Sequence, residues 1–127
     1  MQINLPEPLA ELTAAFERYE AALVGNDVAT LDALFAPGPH TIRYGVAENL
    51  YGGEEILAFR QARPASGLAR LLSRTVVTTY GTEFGTASTL FHRATAPGKV
   101  GRQMQSWVKF TDGWRVVAAH VSLIDEA

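Results

Sequence analysis

Residues 99–124 read KVGRQMQSWVKFTDGWRVVAAHVSLI. Asp112-Gly113 divides this stretch into two runs, Lys99–Thr111 and Trp114–Ile124. Asp-Gly between two such runs predicts a tight β-hairpin, because both turn residues tolerate positive φ. Two more strand-like runs precede it, Leu68–Tyr80 and Thr82–Thr95, broken at Tyr80-Gly81 and Ala96-Pro97-Gly98. All four are rich in Val, Thr, Phe and Trp and alternate partly with period two. Together they predict a long antiparallel meander.

Upstream the period changes. Leu9, Leu12, Phe16, Tyr19 and Leu23 recur at spacings of three and four, one apolar stripe on an amphipathic helix. Pro6 and Pro8 suit its first turn, whose N–H groups have no intrahelical partner, and Gly25 suits its end. Asp27 caps a short second helix carrying Val28, Leu31, Leu34 and Phe35, which Pro37-Gly38-Pro39 stops. A short extended segment, His40–Tyr44, and another around Asn49-Leu50-Tyr51 lead to a third helix, Glu54–Arg63, ended by Pro64. Helices first and a meander after them predict an α+β fold, with the helices packed on one face of a curved sheet.

The 127 residues suit one domain, residues 1–127, with a single core. A net charge of −2 argues against a nucleic-acid partner, which would require a surplus of basic residues. Lysine occurs only at Lys99 and Lys109, so the basic residues are mostly arginine, suited to bidentate contacts with a small carboxylate or phosphate. The absence of cysteine excludes disulfides, thiolate nucleophiles and Cys-ligated metals. The segment Met1–Glu7 has no basic region and no long apolar run, and no stretch is apolar enough to span a bilayer, so a cytoplasmic location without membrane contact is expected.

Few residues invite chemistry. Tyr19 sits on a stripe otherwise made of Leu and Phe. It is either a core tyrosine or a phenol in a pocket between helix and sheet, able to move a proton if a nearby Arg lowers its pKa. Arg43 alternates with Ile42 and Tyr44. It is either an inward cation in need of an anion or a surface residue paired with a Glu. Continuous alternation along the last strand puts His120 and Ser122 on the face of Trp114, Val116 and Ala118, and predicts His120 in the interior or at a subunit interface. A Ser122–His120–Asp125 triad is rejected, because alternate residues of one strand do not give sequential hydrogen bonds. His40, His92 and His120 lack metal-ligand spacing, so no metal is expected. Arg102, Gln103 and Gln105 are candidates to line a pocket. Arg60, Arg63, Arg70 and Arg74 read as solvated or interface charges, with Arg63 placed to face a cavity mouth.

The first helix with Tyr19, the two short helices and a long sheet ending in Gly113–Val117 and His120–Ser122 resemble the cone-shaped nuclear transport factor 2-like (SnoaL-like, cystatin-like) fold, with a curved mixed or antiparallel sheet. Thr41–Gly45, Glu48–Gly52, Phe59-Arg60 with Arg63-Pro64, Gly67–Arg70 and Gly101–Val108 are similar to the AtzH-like branch, which includes the HpxZ proteins, over essentially the whole chain. The resemblance implies a small cofactor-free homodimer acting on an anionic urea. It implies a decarboxylating amidohydrolase of cyanuric acid breakdown, converting 1,3-dicarboxyurea to allophanate and carbon dioxide. The family's helix Tyr and first-strand Arg match Tyr19 and Arg43, the catalytic candidates. Asn49, Gln105 and His120 are assigned from face and residue type to orient the urea. Oxalurate and purine-nitrogen chemistry, or a non-catalytic subunit of a partner amidase, are the alternatives.

Overall fold

Helix α1, Pro6–Val24, forms where the three-four spacing predicts it and buries Leu12, Phe16, Tyr19, Ala22 and Leu23. Each fully buried Leu or Phe contributes about 1.5–3 kcal/mol. This stripe therefore fixes how the helix lies on the sheet. Asp27 caps α2, Val28–Ala33, accepting from the Thr30 amide at 3.1 Å. The computed structural model describes all residues, 1–127. Two short strands, β1 (Ile42–Tyr44) and β2 (Asn49–Tyr51), precede α3 (Gly53–Ala62). The meander follows as β3 (Leu71–Tyr80), β4 (Phe84–His92), β5 (Lys99–Phe110) and β6 (Gly113–Asp125). Leu68–Arg70 enters β3 as non-strand backbone, and β4 ends three residues before Thr95.

The six strands form one sheet in the order β2-β1-β6-β5-β4-β3. β1 lies parallel to β6 and every other pairing is antiparallel, so the sheet is mixed. The parallel pairing sets Arg43 beside Ala119. Alternation puts Ala87, Thr89 and Phe91 of β4, and Gln103, Gln105 and Trp107 of β5, on the buried face. The helices cover that face, and Trp107, Val116, Leu12 and Leu31 meet at the centre of the core. No helix is long and apolar enough to cross a membrane.

One irregularity decides which residues reach the interior. In the β5–β6 ladder Ser106 pairs with Ala118 but Trp107 pairs with Val116, so Val117 is an extra residue in β6. A bulge of this kind reverses the alternation beyond it. Trp114 and Val116 face inward before the bulge, and Ala119 and Val121 do so after it. Ala118 and His120 consequently face outward and are exposed. The interior position expected for His120 is corrected on this ground. Its ring lies on the outer face, 5.9 Å from that of Tyr44.

Candidate active site

Between α1, α3 and the inner face of the sheet lies a cavity of about 190 Å³. It is smaller than the roughly 300–1,000 Å³ of sites for drug-sized ligands, so it suits a small molecule. Tyr19 and Leu23 reach it from α1, Arg43 from β1 and Phe59 from α3. Arg63 enters from the end of α3, Arg70 from the segment before β3, Arg93 from just beyond β4, and Gln103 from β5. Glu48, in the β1–β2 turn, closes one side.

The charges are unequal. Arg43 donates to Glu48 at 2.8 Å. Arg70 grips both oxygens of Glu20, Nε at 2.9 Å and Nη2 at 2.6 Å, and also donates to Gln103 Oε1 at 3.0 Å. Arg60 is 1% exposed, and none of its three side-chain nitrogens has a hydrogen-bond partner in the protein. Arg63 and Arg93 have no carboxylate partner either. Five guanidiniums thus share two paired carboxylates, and Arg60, Arg63 and Arg93, in and beneath the cavity, have no carboxylate bonded to them.

The electrostatics follow from this imbalance. Burial pushes the Tyr19 phenol up, but the charges of Arg60, Arg43 and Arg70 outweigh it and hold its pKa below the usual tyrosine value. Burial, reinforced by Arg60 and Arg43, lowers Arg63 to about 10. Burial and then Arg70 lower Arg93. A phenol acidified in this way is a stronger proton donor than a free tyrosine, and guanidiniums without a partner can receive an anion.

The structure brings Tyr19 and Arg43 together, both less than a tenth exposed. Arg43 is the inward cation of the first reading and not a surface residue, and the anion it meets in the protein is Glu48. Gln105 is buried on the same face of β5 but stands off the cavity wall, its Oε1 accepting from Trp107 Nε1 at 3.1 Å. Asn49 and His120 are exposed on the opposite face of the sheet, away from the cavity. Arg102 also faces outward, donating to Ser122, and Asp125 pairs with Lys99, so no triad assembles.

Two arginines read as solvated or interface charges are in fact interior. Arg60 lies four residues after buried Ile56, on the inner face of α3, and that spacing is the sequence signal for it. The Arg70 side chain is 1% exposed. Arg93, Glu20 and the pairing role of Glu48 escape sequence reasoning, because they sit at element ends or make contacts distant in sequence.

The whole chain is similar to solved structures of the same architecture. A protein of unknown function from Pectobacterium atrosepticum is 59% identical, with a TM-score of 0.94 over 97% of this chain and 95% of that one. A cystatin-like fold protein from Burkholderia xenovorans is 49% identical, with a TM-score of 0.96 over 100% and 99%. An NTF2-like protein from Pseudomonas putida, 15% identical with a TM-score of 0.73 over 90% and 84%, shares the fold. No curated protein of assigned function matches. The AtzH-like family matches residues 1–127 from end to end, and the chain belongs to that family.

Proposed function

We propose that the chain is a cofactor-independent decarboxylating amidohydrolase, converting 1,3-dicarboxyurea to allophanate and carbon dioxide in cyanuric acid and s-triazine nitrogen breakdown. The observation that supports the reading is a buried, acidified phenol lining a small cavity with Arg63 and Arg93, which have no carboxylate partner, and Arg60 packed beneath it. A dianion matches that charge better than a monoanion such as oxalurate.

In the step itself, the bond between one carboxyl carbon and its nitrogen breaks. The carboxylate leaves as carbon dioxide, and the electron pair remains on nitrogen, conjugated with the urea carbonyl. Tyr19 delivers its proton to that nitrogen, and solvent reprotonates the tyrosinate. One proton is consumed, and allophanate keeps the other carboxylate. Arg43 uses one nitrogen on Glu48, which leaves its remaining N–H groups for the urea oxygen, where negative charge grows in the transition state. The guanidiniums around Tyr19 also stabilise the tyrosinate that forms.

The test is release of carbon dioxide and allophanate from freshly generated 1,3-dicarboxyurea, with wild type, Arg43→Ala and no protein in parallel. Acceleration by wild type alone supports the reading. Equal decay in all three overturns it.

A further inference from the structure

The guanidiniums of the cavity stand on phenylalanine rings in pairs. Phe59 carries Arg43 at 5.5 Å and Arg63 at 5.8 Å from its ring centre. Phe91 carries Arg70 at 4.6 Å and Arg93 at 4.9 Å. In each pair one member has a carboxylate, Glu48 on Arg43 and Glu20 on Arg70, and the other has none. The same division recurs on two unrelated parts of the chain, the end of α3 and the end of β4.

The free donors converge on one space. Nε and Nη2 of Arg63, Nε of Arg93 and Nε2 of Gln103 are buried without a hydrogen-bond partner in the protein, and all three residues line the cavity. Gln103 is 2% exposed, and its Oε1 is held by Arg70, which Glu20 holds in turn. The amide is therefore oriented with its NH₂ group free. Buried donors left unpaired are costly, and like charges side by side add to that cost. Ring faces offset part of it by attracting cations. A ligand with an anionic group for each free guanidinium would offset the rest.

We propose that Arg63 and Arg93, with the Gln103 amide, are paired carboxylate receptors that bind the two ends of a short dicarboxylate. Arg43 and Arg70 are held by Glu48 and Glu20 and fix the rings on which the receptors lie. This deepens the reading above by assigning the groups that recognise the dianion. Its test measures binding and not turnover, so either can fail alone.

The probe is glutarate, an unreactive dicarboxylate with the five-atom chain of 1,3-dicarboxyurea, compared with pentanoate, which lacks one carboxylate. Calorimetric titration at neutral pH is expected to show wild type binding glutarate about tenfold tighter than pentanoate or better. Arg63→Met and Arg93→Met should each bring glutarate close to the pentanoate affinity, while Arg102→Met on the outer face leaves it unchanged. Equal affinity of wild type for the two ligands overturns the proposal, as does loss at only one of the two positions or an equal loss in Arg102→Met. If circular dichroism shows a Met variant unfolded, the Lys variant decides. It keeps the charge but not the two-pronged contact, so glutarate should weaken by about threefold or more, and an unchanged affinity overturns the proposal.

Discussion

The Arg60 guanidinium lies 6.0 Å from the centre of the Tyr19 ring and 4.7 Å from that of Phe35, with no carboxylate bonded to it. Burial disfavours its charge, and the neighbouring phenol partly restores it. Arg60→Met removes the largest of the positive charges acting on Tyr19, so the Tyr19 pKa rises. In the proposed reaction Tyr19 acts as the protonated acid, so activity is expected to fall as pH climbs through its pKa. The alkaline limb of the rate profile therefore moves to higher pH, while the weaker acid and the less stabilised tyrosinate lower turnover at pH 7 by about tenfold. The same variant should be more stable to urea by about 1–3 kcal/mol, because an unpaired buried charge gives way to an apolar side chain of similar length. A limb that stays in place would remove Arg60 from the control of Tyr19.

Tyr19→Phe deletes only the hydroxyl. The ring keeps its contact with Phe35, 6.1 Å between centres, so the α1 stripe stays packed. Turnover of 1,3-dicarboxyurea should fall by about a hundredfold or more with little change in melting temperature. Wild-type carbon dioxide release from this variant would take Tyr19 out of the reaction.

Arg63 makes a signed prediction about pH. It is charged in the folded protein below about pH 10, well under the range of an ordinary arginine. Below pH 10 both states carry the charge, and the folded state bears the whole penalty. As pH climbs above about 10 the folded state releases its proton before the unfolded chain does, and the penalty shrinks. Arg63→Met should therefore melt higher than wild type at pH 7, with the gap narrowing by pH 10.5. A gap that widens with pH would contradict this assignment of the charge.

The parts of the fold legible in sequence are those set by local spacing. Leu12, Phe16, Tyr19 and Leu23 mark their helix face, and Asp112-Gly113 marks the last hairpin, although Phe110 pairs with Gly113, so the two turn residues are Thr111 and Asp112 and Gly113 opens β6. What fails is parity carried through Val117. Nothing in Val116-Val117-Ala118-Ala119 marks a bulge, because all four residues suit either face. One extra residue puts His120 on the outer surface, which excludes the interior, one of the two places expected for it. The arginines fail for another reason. Single-sequence reasoning places a charge outside unless a partner is visible, and the Glu20 partner of Arg70 lies 50 residues away.

Gly101 links the sheet to the charged rings. A Cβ there would lie 2.1 Å from Phe91 Cζ, so the ring sits directly on the β5 backbone. Phe91 is 1% exposed and carries Arg70 and Arg93, so it cannot move alone. Gly101→Ala should cost about 1–3 kcal/mol by overpacking, measured by urea unfolding, and should weaken glutarate binding as Arg93 shifts. Unchanged stability would mean that the ring has room that this packing denies it.

The outer face of the sheet makes the last prediction. Helices cover only the inner face. Outside, Met104 is 60% exposed, Ile124 42% and Phe84 39%, and Ile42, Tyr44, Ala118 and His120 surround Met104. Met104 pairs with His120 in the ladder, near the middle of β5, so a charge placed there meets whatever covers the sheet. Sheets left apolar on one side are commonly covered by a second copy through a two-fold axis. In such a pair Met104→Glu buries two like charges and dissociates the assembly, while the cavity on the other face keeps its shape. Sedimentation velocity at micromolar concentration should therefore give a dimer for wild type and a monomer for Met104→Glu, with glutarate binding retained in the monomer. A wild-type monomer would leave this face without a partner and set the homodimer aside. A Met104→Glu monomer that had lost glutarate binding would instead mean that assembly holds the arginine pairs in place through the sheet.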